Sequence, residues 1–307
     1  MAGFVIAEVL LPRVEFGISR LVNEFCHLSV LYREIMPVEL ASGMLENTAY
    51  QTRNGHLRLD EIRLALQKVG PFASESEWYI FATGLMKRSS SDSIEALSGN
   101  SKAAEIFQRI RQGGLVGFEE IWGETRPRLE EYKEKFASEW FPISGQVLSR
   151  LSEFAKTPWS MEKIHVHFID CLYGGFGWDD CIGFAAFPDM EVQKKFITHE
   201  LSELITPRHI VGGELQRAGL NPEIAHTVVD MLAYFSIRDF LAKPVFPHPE
   251  RRGIKPNQNY YPAVEELYPM FEYYAEDPSK YSDFRALVQD MIPRLNRLSG
   301  SSKVQND

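Results

Sequence analysis

The spacing of hydrophobic positions predicts helices over most of this chain. Residues 60–69 have helical spacing and begin at an aspartate, a residue that favours helix starts. Residues 122–154 repeat the pattern over a longer stretch, with Glu, Lys and aromatic residues interleaved, until Pro158 interrupts it. The same spacing predicts carboxyl-terminal helices over residues 264–274 and 281–298.

A short region between the helical stretches has the pattern of a small sheet. Residues 164–169 alternate in polarity and are rich in β-branched side chains, which predicts a strand. Its histidines, His165 and His167, share one side and are expected to be core or edge residues rather than ligands. Residues 174–177 predict a glycine turn, and residues 181–187 predict a second, edge-like strand on which an extended peptide could pair.

Two helices that carry ionisable residues follow the predicted strands. Residues 190–205 predict a helix that begins after Asp189 and ends before Pro207. The next helix opens at residues 221–223, with the sequence Asn-Pro-Glu, and runs to about Leu241. Because it is apolar nearly all round, we expect this second helix to be buried.

His199 and Glu203 form the first candidate pair, because residues four apart share one face of a helix. Val192 and Phe196 lie on the same flank, so the pair is expected to face semi-buried surface, where an unpaired charge is unfavourable and a metal ion would be stabilising. The solvated side of this helix is predicted to consist of Lys194, Lys195 and Ser202.

The second helix repeats the arrangement with His226 and Asp230, again four residues apart. Glu223 lies one turn before this pair and Tyr234 one turn after it. Two helices that each present a histidine and a carboxylate inward can close a three-ligand metal site with one position left for water.

The segment from His199 to Glu203, His-Glu-Leu-Ser-Glu, resembles the active-site helix of the zincin metallopeptidases, whose motif is His-Glu-x-x-His. It is most similar to the gluzincin branch, in which a second helix further along the chain supplies the third ligand. The resemblance covers about residues 122–241 and departs from the family motif at Glu203, which stands where the second histidine is expected. Glutamate is itself an accepted zinc ligand.

The resemblance implies one Zn²⁺ ion held by His199, Glu203 and His226. Glu200 is then the general base for a metal-activated water, and Asp230 holds a ligand histidine in the required tautomer. Glu223 and His209, the latter at the metzincin spacing, stay open as alternative third ligands. Candidates for stabilising the oxyanion are His248, Tyr260 and Tyr261.

The composition of the chain disfavours some classes of binding partner. The 307-residue chain has a net charge of -9 and no cluster of basic residues, which disfavours a nucleic-acid partner. No apolar stretch is long enough to span a bilayer, so no membrane association is expected. Three cysteines, an odd and sparse set, predict free buried thiols and a cytoplasmic location. The expected partner is a peptide or protein substrate.

Together these patterns predict an α+β fold that is mostly helical. We expect a helical amino-terminal region over residues 1–99 and a zincin-like metallohydrolase domain over residues 100–307, with a small β-sheet, an active-site helix and a ligand-bearing second helix. The predicted function is that of a zinc-dependent hydrolase, a peptidase. Three alternatives stay open: a catalytically inactive zincin-like scaffold or binding protein, a dinuclear carboxylate protein, and a surface helix whose His and Glu simply face water.

Overall fold

The computed structural model describes residues 11–31, 75–87, 107, 118–172, 174–206, 208–219, 223–237 and 264–301. These residues form a small mixed sheet and a larger set of helices, which confirms the predicted α+β, mostly helical class. The predicted helix at residues 60–69 and the predicted boundary at residue 99 lie outside the described residues, and both stay predictions.

The chain divides into two compact units. The sheet unit comprises Arg13–Pro142 and Lys163–Gln193. The helical unit comprises Met1–Pro12, Ile143–Glu162 and Lys194–Asp307. The strands are β1 Arg13–Gly17, β2 Lys163–Phe168, β3 Gly175–Trp178 and β4 Cys181–Phe184. The helices are α1 Arg20–Leu31, α2 Glu75–Lys87, α3 Phe118–Ala155, α4 Met190–Ile205, α5 Arg208–Arg217, α6 Glu223–Ile237, α7 Val264–Glu276 and α8 Phe284–Ser301.

The four strands lie in the order β1-β2-β4-β3. β2 pairs in parallel with β1 on one side and with β4 on the other, and β3 is antiparallel to β4. The predicted strands at 164–169 and 181–187 are confirmed as β2 and β4. However, β4 is not an edge strand as predicted, because both of its sides are paired, so it offers no free edge to a peptide.

Two strands differ from the sequence-based expectation. β1 lies in the amino-terminal region that was predicted to be helical, and it pairs with β2 from Arg13↔Lys163 onward. The glycine-rich segment predicted to be a turn forms β3 instead, and the hairpin turns at Asp179–Asp180, where Asp179 has a φ of 61°. Rings on α2 hold β3 in place, because Tyr79 stacks on Trp178 with ring centroids 5.4 Å apart.

Helices cover both faces of the sheet, as the buried strands β2 and β4 require. Phe16 and Phe168 project from one face and contact Phe136 of α3 at centroid distances of 5.3 and 5.8 Å. The opposite face meets α2, where the thiol of Cys181 lies 4.0 Å from the carbonyl of Thr83. Each fully buried aromatic side chain contributes about 1.5–3 kcal/mol through removal of apolar surface from water.

The helical unit is built on contacts among α5, α6, α7 and α8, with α6 packed against both α5 and α7. Phe235 of α6 stacks on Phe271 of α7 with ring centroids 5.7 Å apart. The buried carboxylate of Glu214 on α5 accepts from Arg217 at 3.0 Å and from Arg285 of α8 at 3.1 Å, which joins the two helices. Within the described residues, no helix combines enough length with enough apolar character to cross a bilayer.

We expect Gly17→Ala to destabilise the protein by about 1–3 kcal/mol, the usual range for an overpacked core. A Cβ at Gly17 would lie 2.8 Å from Cε1 of the buried His167 ring. Gly123→Ala is the matched control, because nothing lies within 4 Å of its Cβ position on α3, and there the substitution stabilises the helix by up to about 1 kcal/mol. Urea unfolding measures the change in the free energy of unfolding, which we expect to be negative for Gly17→Ala and positive for Gly123→Ala. Equal changes in the two variants would contradict the close packing of Gly17 against His167.

Candidate functional site

The start of α4 is fixed by two side chains of the sheet unit. As predicted, Asp189 caps the helix, with its carboxylate accepting from the backbone N–H groups of Glu191 at 2.8 Å and Val192 at 3.3 Å. The side-chain oxygen of the buried Gln193 accepts from the backbone N–H of Phe187 at 2.9 Å. Both contacts fix where the first turn of α4 begins, and the helical repeat then determines which residues share each face.

His199 and Glu203 meet on the second half of α4. Nε2 of His199 lies 3.4 Å from Oε1 of Glu203, and the two side chains are 26% and 10% exposed. This is the juxtaposition that a spacing of four residues predicts on a helix. The pair is neither sealed in the core nor fully solvated.

The predicted solvated side of α4 is wrong, because Lys195 and Ser202 are buried and Lys194 is only half-exposed. The hydroxyl of Ser202 donates to the carbonyl of His199 at 2.7 Å, which satisfies it inside the protein. A buried lysine packs its aliphatic stem against apolar surface, which makes the spacing of Lys residues a poor guide to exposure. In residues 194–206 the half-exposed side chains are Lys194, Phe196, His199 and Glu203. Lys194 projects from the opposite side of the helix, whereas Phe196, His199 and Glu203 share one flank, so the second half of α4 reaches solvent on the flank that bears the candidate pair.

Glu200 is 5% exposed and lies beside that flank. At about 100° per residue, His199, Glu203 and Glu200 together span a sector of about 100° around the helix axis. The next residues around the axis, Ile197 and Leu204, are buried apolar side chains. Glu200 thus sits where the half-exposed flank of α4 meets its buried side, a position that shields a carboxylate from bulk water.

The distance between His199 and Glu203 fits a shared metal ion. Two ligand atoms that each lie about 2.1 Å from a tetrahedral Zn²⁺ are about 3.4 Å apart. Nε2 and Oε1 are 3.4 Å apart and are atoms of the types that zinc selects. The same distance suits a direct pair between a protonated imidazole and a carboxylate, so the two residues fit a metal without requiring one.

The remaining predicted site residues lie on other helices of the helical unit. Glu223, His226 and Asp230 fall on α6, and His209 falls on α5. Their side chains are outside the described part of the structure, as are residues His248, Tyr260 and Tyr261. Among the side chains that the structure describes, no three His, Cys, Asp or Glu residues converge as a metal-binding group. The identity of the third ligand therefore stays a prediction.

A polar cluster at the carboxyl end of β2 was not predicted from the sequence. Asp170 pairs with Arg128, accepts from the hydroxyl of Thr125 at 3.3 Å, and donates its backbone N–H to Asn23 at 3.0 Å. The amide of Asn23 in turn donates to the carbonyl of Phe168 at 3.1 Å. The cluster borders a pocket with about 190 Å³ of empty space, including its part open to solvent. A polar residue two positions after the end of a parallel strand was the available signal for this cluster.

Comparison with known proteins found no matching family model, no similar curated protein and no similar solved structure. The described fold defines an α+β protein with a small mixed sheet and a helical unit. The resemblance to the zincins that the sequence suggests stays a prediction.

His167 is a core residue, as expected for a histidine on a buried strand. It is 2% exposed, and burial lowers the pKa of its imidazole to about 3. Burial, and next the charge of Lys163, also lower the pKa of the half-buried His165. On α1, burial lowers the pKa of His27 to about 4, against the opposing effect of the Asp170 charge.

We expect stability to fall in acid partly through His167. Its pKa is about 3 in the folded protein and 6.5 in its ordinary state, so the unfolded chain binds the extra proton between those values. The His167 contribution is therefore complete above pH 6.5 and is lost progressively as the pH falls towards 3. Urea unfolding across this range measures it: His167→Gln should lessen the slope by up to about 1.4 kcal/mol per pH unit. Equal slopes in the native protein and in His167→Gln would show that His167 is not the titrating group. Any slope that remains in the variant belongs to groups such as His27.

Proposed function

We propose that this protein is a zinc-dependent hydrolase of the metallopeptidase class, with one Zn²⁺ held by His199, Glu203 and His226. The contact between Nε2 of His199 and Oε1 of Glu203 at 3.4 Å carries the proposal, because it matches the separation of two zinc ligands and lies on the half-exposed flank of α4. In this proposal α4 is the active-site helix and α6 is the ligand-bearing second helix of a zincin-like arrangement.

The ion, when bound, would supply a Lewis acid for activating a water and polarising the scissile carbonyl. Glu200 acts as the general base: it takes a proton from the attacking water and returns it to the leaving amine. Its position beside the half-exposed flank supports this role, because a carboxylate at the border of the buried side acts in a low-dielectric environment. Asp230, one turn after His226 in the sequence, is assigned the role of holding a ligand histidine in the required tautomer.

The proposed substrate is a peptide or protein. Recognition through β4 is not part of the proposal, because that strand is paired on both sides. The net charge of -9 supports a protein substrate over a nucleic acid. The proposed location is the cytoplasm, which is supported by the thiols of Cys26, Cys171 and Cys181: all three are free and buried.

A second candidate function follows from the same contact. If His199 and Glu203 pair directly with each other, the pair needs no metal, and the substitution of the family's second histidine by Glu203 belongs to a catalytically inactive zincin-like scaffold or binding protein. The two candidate functions differ in two respects. The hydrolase binds zinc and requires Glu200 for activity, whereas the scaffold requires neither.

The metal content of the purified protein tests the ligand set. We expect close to one zinc per chain by elemental mass spectrometry, and a loss of that zinc in His199→Ala and in His226→Ala. His165→Ala in the sheet unit is the matched control and should keep the metal. If zinc is lost in His199→Ala but not in His226→Ala, the third ligand is Glu223 or His209. A protein that takes up no zinc when it is supplied would exclude the enzyme and favour the scaffold.

Glu200→Gln tests the general base. We expect the variant to keep its zinc while kcat/KM on a fluorescently labelled unfolded protein falls by about 10²–10⁴, the usual contribution of a general base. Glu191→Gln, an exposed glutamate on the same helix, is the matched control and should leave kcat/KM unchanged. Equal activity of Glu200→Gln and the native protein would remove Glu200 from the mechanism.

A further inference from the structure

The pocket beside Asp170 lies in the sheet unit, at the carboxyl end of the parallel strands. Asp170 follows β2 by two residues, and Asn23, which also lines the pocket, lies on α1, the first helix after β1. In open sheets of parallel strands, ligands bind in the crevice outside the carboxyl ends of the strands. The pocket shares no residue with the proposed zinc site, so a ligand bound here is independent of the function proposed above.

The wall that α3 contributes to this pocket is mainly apolar. Phe118, Ile121 and Trp122 line it, together with the hydroxyl-bearing Thr125 one turn further along the helix. The rings of Phe118 and Trp122 are buried and stack on each other with centroids 6.1 Å apart. Such a wall favours a ligand with an apolar part, because binding removes the apolar surfaces of both from water.

Asn23 shapes the pocket, and the backbone engages both of its polar side-chain atoms. Its side-chain oxygen accepts from the N–H of Asp170 at 3.0 Å, and its nitrogen donates to the carbonyls of Ser19 at 2.9 Å and Phe168 at 3.1 Å. Burial raises the pKa of the Cys171 thiol, so that lining residue is neutral. Asp170 is therefore the charged residue among those that line the pocket, all of which the structure describes.

The two carboxylate oxygens of Asp170 have different neighbours, although its side chain is only 9% exposed. Oδ1 pairs with Arg128, a residue outside the pocket lining whose side chain is 54% exposed. Oδ2 lies 3.3 Å from the hydroxyl of Thr125, which does line the pocket. That bond is long, since O–H···O bonds are ordinarily about 2.5–3.0 Å. A carboxylate accepts up to about four hydrogen bonds, so Oδ2 can accept from a ligand as well as from Thr125.

We propose that this pocket binds an alkylammonium group. The ammonium donates to Oδ2 of Asp170 and to the hydroxyl oxygen of Thr125, and the alkyl chain packs on the apolar wall of α3. About 190 Å³ of empty space, which includes the part open to solvent, is less than the roughly 300–1,000 Å³ of sites for drug-sized molecules. The ligand is therefore a small free amine or the end of a lysine side chain. Arg128 competes with it for the same carboxylate.

Titration of the full-length protein with n-propylammonium tests the charge and the shape of the ligand. We expect a saturable shift of the Trp122 indole N–H signal in two-dimensional NMR spectra, identified as the signal that is absent in Trp122→Phe. The alcohol n-propanol has the same alkyl chain without the charge and should bind at least about 10-fold more weakly, because hydrogen bonds to charged groups are stronger. Equal dissociation constants for the two, or no shift of the Trp122 signal, would overturn the proposal.

The source of the alkylammonium group is distinguished with the amide of Nα-acetyl-lysine, which presents a lysine side chain without a free α-amine. Tighter binding than n-propylammonium assigns the pocket to a lysine of a protein partner, and weaker binding assigns it to a free amine. Both results support the alkylammonium chemistry.

Substitutions at the carboxylate test which residues hold the ligand. Asp170→Asn keeps the shape of the side chain and should raise the dissociation constant of n-propylammonium at least about 10-fold. Glu130→Gln is the matched control, because it removes the same charge from a half-exposed carboxylate of α3 outside the pocket, and it should leave the dissociation constant unchanged. Arg128→Gln removes the competing cation and should lower the dissociation constant about 2–5-fold.

The opposite directions of Asp170→Asn and Arg128→Gln separate ligand binding from damage to the fold, because both break the same ion pair. The indole signals of the other tryptophans should keep their positions in both variants. A native dissociation constant in Asp170→Asn would overturn the proposal. Equal weakening in Asp170→Asn and Arg128→Gln would also overturn it, by showing that the pair acts through the structure of the pocket alone.

Discussion

The sheet unit depends on the parallel pairing of β2 with strands on both of its sides. β1 and β4 satisfy the backbone groups of β2, and α2 and α3 cover the two faces that such a strand must bury. In the row formed by Gly17, His167 and Gly183, small residues flank a large one. Gly17 leaves room for the ring of His167, and Gly183 leaves room for the ring of Phe176. The neighbours of a buried histidine are thus set by the sheet register.

Sequence patterns predicted the elements whose signal is local. β2 and β4 showed continuous β-branched or apolar residues, and α4 showed both a capping aspartate and helical spacing, so its bounds, Met190–Ile205, matched the prediction. β1 gave no such signal, because it is five residues long and its partner lies about 150 residues away. β3 was misread because glycine favours turns in isolation, whereas Phe176 and Trp178 are held by rings of α2 that no local pattern reveals.

The candidate site shows the same division between local and tertiary information. The meeting of His199 and Glu203 follows from helix geometry and was predictable. The burial of Lys195 and Ser202 was not, because it depends on what packs around α4 rather than on its own sequence. The cluster around Asp170 combines α1, α3 and the end of β2, so no single segment indicated it.

The pairing of β1 with β2 also determines when the sheet can form as the chain is synthesised. Arg13 pairs with Lys163, so the amino-terminal strand must wait for about 150 further residues before its partner exists. Ribosomes add about 5–20 residues per second, which makes that wait roughly 8 to 30 s. Throughout it, the backbone groups of β1 lack the strand that later pairs with them, and the side chain of Phe16 lacks the ring of Phe136 against which it later packs. The nascent chain therefore carries an unpaired β-strand for most of the synthesis of the sheet unit, with backbone groups that are open to pairing with another chain.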